Sequence, residues 1–101
     1  MSLASHFNSS DCAISFELFP PKTEAGIETL MKNVERLKEF NPSFFTCTYG
    51  AGGSTRGTTL DVVEKVKQIT GLPVASHLTC VGSTVAQLED YLSEAKNRGV
   101  D

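Results

Sequence analysis

Three short apolar runs alternate along the chain with longer segments that repeat apolar residues at helical spacing. The runs are AISFELF, SFFTCTY and PVASHLTC, and their aromatic and β-branched residues are typical of β-strands. The predicted strands begin at Ile14, Phe44 and Val74, which are 30 residues apart.

The segments after these runs predict three amphipathic helices. TEAGIETLMKNVERLKEF, TTLDVVEKVKQIT and TVAQLEDYLSEAKNR each place apolar residues on one helical face. Two pairs have the spacing of N-terminal capping boxes, namely Thr58 with Asp61 and Thr84 with Gln87. Gly71 and Gly99 follow the second and third helices, where a left-handed residue commonly ends a helix.

The order βαβαβα indicates a parallel sheet with right-handed crossovers. An open doubly wound sheet and a (β/α)8 barrel both fit this order, and a complete barrel needs about 250 residues. We therefore expect an α/β fold that forms the first three βα units of a TIM barrel, because 101 residues are too few for the whole barrel. Residues 1–12 are expected to be a polar leader, and residues 13–101 the barrel portion.

Composition and net charge limit the classes of binding partner and the cellular compartment that we expect. A net charge of −3 and a pI near 5.3 give no basic field for nucleic acid or anionic lipid. No segment resembles a signal peptide or reaches the roughly 20 apolar residues of a membrane helix. The three cysteines make an odd count without a C-x-x-C pair, which favours free thiols and a cytoplasmic location.

Strand parity places candidate chemistry on one side of the sheet. Alternate residues of a strand face opposite sides, and one side of these strands is mostly apolar. The other side collects five polar residues near the carboxyl ends of the strands: Glu17, Thr46, Thr48, His77 and Thr79. We call these five residues the strand-end face, because barrel enzymes place their active sites at this end.

Glu17 is the leading catalytic candidate, since an acid in apolar surroundings tends to stay protonated and donate a proton. A structural glutamate paired with a cation elsewhere is the alternative. His77 is equally open to a packing role and a ligand-binding role. No metal site is expected, because His77 and Cys80 are three apart on a strand and face opposite ways. The loop YGAGGSTRG, Tyr49–Gly57, matches neither a dinucleotide-binding loop nor a Walker A loop.

Taken together, SFELFPPK, TCTYGAGGSTR and SHLTC resemble the first three strand ends of the methylenetetrahydrofolate reductase family. The resemblance runs from about Ile14 to the last residue. It implies a (β/α)8 barrel that binds FAD, takes hydride from NADH or NADPH, and reduces 5,10-methylenetetrahydrofolate to 5-methyltetrahydrofolate in one-carbon and methionine metabolism. It also implies a homo-oligomer for the intact protein.

The same resemblance implies roles for individual residues. Glu17 matches the acid that protonates a folate ring nitrogen, and Thr48 matches a threonine near the flavin and the nicotinamide. Tyr49, Ala51 and His77 match flavin-contacting positions, although the parity of Tyr49 requires contact through its backbone or at the strand end. The family's Arg-Gly-Asp segment after the fourth strand lies outside this sequence.

Two alternatives stay open. The chain could be a noncatalytic βα module that completes a barrel with a partner chain. It could also belong to a barrel enzyme that acts on a phosphorylated substrate through the glycine loop and Arg56.

Overall fold

The computed structural model describes residues 3–8, 11–49 and 56–101. A short 3-10 helix, Leu3–Phe7, comes first. The elements that follow are β1 (Ser15–Leu18), α1 (Glu24–Lys38), β2 (Phe44–Cys47), α2 (Arg56–Thr70), β3 (Val74–Ser76) and α3 (Val85–Asn97). The predicted order βαβαβα is therefore confirmed. None of the helices in these ranges is long and apolar enough to cross a membrane.

The three strands form one parallel sheet in the order β1-β2-β3. The register aligns Glu17 with Thr46 and Thr46 with Ala75, so these three residues share one side of the sheet. Three parallel strands and three helices confirm the α/β class and are compatible with part of a TIM barrel.

The core lies between the sheet and the helices, on the side opposite the strand-end face. Leu18, Phe45, Cys47 and Val74 are buried there. They pack against apolar residues of α1 and α2, namely Val34, Val62, Val63 and Val66. The parity predicted from the sequence is confirmed at these four positions, which were assigned to the helix side.

Most predicted helix ends are found in the structure. Thr84 and Gln87 form the predicted capping box of α3, and both Gly71 and Gly99 have positive φ, at 69° and 78°. The capping box predicted at Thr58 is wrong. Helix α2 begins two residues earlier, at Arg56, so Thr58 lies inside the helix.

Part of the predicted polar leader packs against the sheet. The rings of His6 and Phe7 lie 5.8 Å and 6.1 Å from the ring of Phe44 at the start of β2. Phe44 has the same parity as Thr46, so the 3-10 helix covers this side of the sheet at its amino end. The leader is polar in composition but contributes apolar contacts.

Asp101 lies beside β3 and is tied to it. Its backbone N–H donates to the Val74 carbonyl, and its carboxylate accepts from the Val74 N–H at 3.0 Å. Lys67 of α2 donates to the same carboxylate at 2.8 Å and also to the Gly99 carbonyl. Burial raises the pKa of Asp101, but the bonds from Lys67 and Val74 outweigh it and hold that pKa below its ordinary value.

Candidate active site

Backbone hydrogen bonds hold the strand ends together beyond the regular strands. The Thr48 N–H donates to the Leu18 carbonyl, and the His77 N–H donates to the Cys47 carbonyl, both at 2.9 Å. These bonds continue the parallel ladder by one residue on β2 and on β3. The main chain at Thr48 and His77 is therefore fixed relative to Glu17.

The structure brings Glu17 and His77 together. Glu17 Oε1 lies 3.7 Å from His77 Nε2, although β2 separates their strands. Thr46 stands in register with Glu17 on one side and with Ala75 on the other, and both Thr46 and Ala75 have short side chains. This pairing of an acid with an imidazole is the main chemical feature of the strand-end face.

Glu17 is more exposed than its apolar strand suggests. Its side chain is 52% exposed and that of His77 is 45% exposed. The expected apolar surroundings are not built by the described residues, because only three strands enclose this side of the sheet. The apolar residues next to Glu17 in the sequence belong to the other side of β1. On that side, Leu18 is buried against the helices.

The side chains of Thr48 and Tyr49 have different surroundings. Thr48 is partly buried and belongs to the strand-end face, whereas the Tyr49 ring packs edge-on against Tyr91 of α3 at 5.5 Å. Only the backbone of Tyr49 is then directed to the strand end. Ala51 and the glycines from 50 to 53 lie outside the described residues.

Two positions that support the site could not be predicted from the sequence. Thr59 of α2 is fully buried, and its hydroxyl donates to the Thr48 carbonyl at 3.1 Å, which fixes the end of β2. Gly26 of α1 lies against Pro21, and a Cβ at this glycine would come within 2.8 Å of the proline ring. The only available signals were a threonine on an apolar helical face and a glycine in a first helical turn.

The turn after β1 is shaped by Gly26 and a helix cap. The Thr23 hydroxyl accepts a hydrogen bond from the Gly26 N–H at 3.0 Å and caps α1. Because Gly26 lets Pro21 approach, the segment that follows Glu17 folds back closely onto the start of α1. This packing orients the carboxyl end of β1.

The cysteines are not arranged for metal binding. Cys47 is buried on the helix side, and desolvation raises the pKa of its thiol to about 12. Cys12 and Cys80 are exposed. Within the described ranges, no group of three or more His, Cys, Asp or Glu residues could hold a metal ion.

The fold and the strand-end face together are typical of α/β enzymes. A parallel α/β sheet with helices on one side and polar side chains at its carboxyl edge is the setting in which α/β enzymes build their ligand sites. A family model described as methylenetetrahydrofolate reductase matches residues 2–101. The chain belongs to the methylenetetrahydrofolate reductase family, as its three strand-end motifs predict.

Curated relatives agree with this assignment. The chain is 36% identical over 88 residues to methylenetetrahydrofolate reductase (NADH) 1 of Arabidopsis thaliana, which covers 87% of this chain and 15% of the relative. It is 38% identical over 87 residues to 5,10-methylenetetrahydrofolate reductase of Salmonella typhimurium, and 37% identical over 87 residues to that of Escherichia coli. Each of these two matches covers 86% of this chain and 29% of the relative. The matched part of the chain therefore spans less than a third of the length of each of these proteins.

Proposed function

We propose that this chain supplies the first three βα units of a TIM-barrel flavoenzyme that reduces 5,10-methylenetetrahydrofolate with NADH or NADPH. The observation that carries the proposal is the meeting of Glu17 and His77 at the carboxyl ends of parallel strands, in a chain of this family. The folate substrate is that for which the bacterial relatives are named, and NADH is that for which the plant relatives are named.

The residues present fit one edge of an FAD site. A bound flavin would accept hydride from the nicotinamide and pass it to the folate. Thr48 offers a hydroxyl and His77 an exposed imidazole, and both can hydrogen-bond the polar atoms of a planar cofactor. Tyr49 would contribute through its backbone, and Ala51 is assigned to the same site by its motif.

Glu17 would act as the general acid. Its carboxyl group protonates a ring nitrogen of the folate, which opens the five-membered ring and prepares its carbon to receive hydride. The exposed carboxyl of Glu17 is accessible to a substrate that stacks over the strand-end face. The remaining strands of the barrel would cover the side of the sheet that this chain leaves open.

The proposal extends to the setting of the enzyme. The odd cysteine count and the exposed thiols Cys12 and Cys80 favour a reducing, cytoplasmic location. A homo-oligomer follows from the family resemblance. The acidic net charge favours a small-molecule substrate over nucleic acid or an anionic membrane.

A chimera tests the proposal directly. Residues 13–101 replace the aligned segment of the Escherichia coli relative, and the purified protein is examined by absorption spectroscopy and single-turnover kinetics. We expect a yellow protein whose flavin is reduced by NADH and reoxidised by methylenetetrahydrofolate. A folded chimera without flavin would contradict the proposal and favour the noncatalytic module.

Glu17→Gln separates the two half-reactions. The amide keeps the size of the side chain but cannot donate the proton, so folate reduction should fall by about 10²- to 10⁴-fold. Flavin reduction by NADH should stay within about tenfold of the parent, because it needs no proton from Glu17. Glu35→Gln on the exposed face of α1 is the matched control and should change neither rate.

Two results would refute the role of Glu17. Equal losses in both half-reactions would mean that Glu17 holds the flavin or the barrel in place. Unchanged rates in both would make it a structural carboxylate.

A further inference from the structure

We propose that His77 is a positioning residue for the acid, and that it holds the Glu17 carboxyl group in its proton-donating orientation through a contact across β2. This inference rests on the proposed function and adds to it, because the family resemblance assigns His77 only a contact with the flavin. The contact between Glu17 and His77 involves residues of this chain alone.

The contact between Glu17 and His77 does not follow from strand pairing, because β1 and β3 are not adjacent in the sheet. Adjacent strands lie about 4.8 Å apart, so the backbones of β1 and β3 are separated by roughly 10 Å. The tips of Glu17 and His77 nevertheless approach to 3.7 Å. Both side chains must lean inward over β2 to meet, which makes the contact specific to their paired orientations.

The residues beneath the contact permit it. Thr46 stands in register with Glu17 on one side and with Ala75 on the other. Both are short, and neither carries a charge that would compete for the carboxylate or the imidazole. Leucine or phenylalanine at position 46, on the strand between Glu17 and His77, would occupy the space over which the two side chains meet.

The backbones of Glu17 and His77 are both held in place by the sheet. The main chain of His77 is held by its N–H bond to the Cys47 carbonyl, and Glu17 is in the regular part of β1. Within the described ranges, His77 is the one ion-pair partner of Glu17. The ring therefore limits the rotamers of a glutamate whose side chain is otherwise half exposed.

The distance fits a positioning role. At 3.7 Å the pair is longer than a hydrogen bond, and contacts of this kind commonly shorten when substrate binds. Misplacing a catalytic group by about 1 Å can cost up to about 10²-fold in rate. We expect the loss of His77 to slow the proton-dependent half-reaction by about tenfold.

Histidine NMR of the 101-residue chain tests the contact without any cofactor. The chain has two histidines, and His6 lies on the 3-10 helix against Phe44, which makes it an internal reference. Glu17→Gln should shift the His77 ring-proton signals and leave those of His6 in place. Glu35→Gln should move neither pair of signals. Unchanged His77 signals in Glu17→Gln would overturn the inference.

Kinetics in the chimera test the function of the contact. His77→Ala should slow folate reduction about tenfold in flavin-loaded protein, whereas His77→Gln should stay within about threefold, because its amide nitrogen can take the place of Nε2. The double variant Glu17→Gln with His77→Ala should be no slower than Glu17→Gln alone. Independent, multiplying losses would contradict a shared role.

The two proposals fail in different ways. If Glu17→Gln leaves folate reduction intact, the proposed acid is wrong. If Glu17→Gln is slow but His77→Ala only weakens flavin binding, the acid stands and the positioning role of His77 is refuted. Rescue by His77→Gln supports positioning, because a purely structural imidazole would not be replaced selectively by a donor at the same place.

Discussion

The attachment of α3 to the sheet includes a polar contact whose contribution can be measured. Tyr91 of α3 is 4% exposed, and its hydroxyl lies 3.0 Å from the Ser76 hydroxyl at the end of β3. Its ring packs with Leu60 and Ala95 and contacts the Tyr49 ring edge-on. Tyr91→Phe removes the hydroxyl and keeps the ring, so it removes this polar contact without removing the ring packing.

The structure sets the size of the effect. A hydrogen bond of this kind contributes about 0.5–1.5 kcal/mol net. The Ser76 hydroxyl keeps its hydrogen bond to the His77 carbonyl at 3.2 Å after the substitution, so it still has a hydrogen-bond partner. We therefore expect Tyr91→Phe to lower the free energy of unfolding by about 1 kcal/mol.

Urea unfolding of the 101-residue chain, followed by circular dichroism, measures this difference. With slopes of about 1–3 kcal/mol per molar urea, the midpoint should fall by about 0.3–1 M. Ser76→Ala and the double variant complete a cycle, and we expect the double variant to be less destabilised than the sum of the single ones. Ser93→Ala on the exposed face of α3 is the control and should change stability by less than about 0.5 kcal/mol.

Additive losses in this cycle would refute the reasoning. They would mean that the two hydroxyls do not interact in the folded protein, and that the ring of Tyr91 alone docks α3. A Tyr91→Phe variant as stable as the parent would lead to the same conclusion.

Three further predictions concern the cysteines, Asp101 and Arg98. Burial raises the pKa of the Cys47 thiol to about 12, so a thiol reagent at pH 8 should label the two exposed cysteines of the folded chain, and Cys47 only after urea is added. The lowered pKa of Asp101 means that its carboxylate stabilises the fold above about pH 4, and that this contribution is lost as the pH falls further. Asp101→Asn should therefore reduce stability at pH 7 and flatten the fall in unfolding free energy between pH 4 and pH 2. Arg98 pairs with carboxylates of α2 and α3 that are about half exposed, so Arg98→Met should cost no more than about 1 kcal/mol, and 1 M salt should remove most of that difference.

The local patterns in the sequence were sufficient for the elements and for the two sides of the sheet. Phe45 and Val74 are buried where strand parity assigned them, and Thr84 caps α3 as its spacing predicts. These features depend on residues close in the chain, where a period of 2 or 3.6 determines which side chains share a face. The capping box at Thr58 failed because α2 begins at Arg56, a boundary that spacing alone does not fix.

Only the tertiary structure decided how the candidate site is assembled. Parity placed Glu17 and His77 on one face, but their approach to 3.7 Å depends on the register of three strands and on the short side chain of Thr46 between them. The exposure of Glu17 could not be deduced from its apolar neighbours Phe16 and Leu18, because those two residues pack in the core on the helix side.

Hydrogen bonds between residues far apart in the sequence were also decided only by the tertiary structure. The Thr59 hydroxyl reaches the Thr48 carbonyl across 11 residues, and the Asp101 carboxylate reaches the Val74 N–H across 27 residues. The sequence determines the periodic faces, the strand-end motifs and hence the family, because these are local properties of the chain. Which polar groups meet is determined by packing between elements, because hydrogen bonds and ion pairs require distances that only the assembled sheet and helices set.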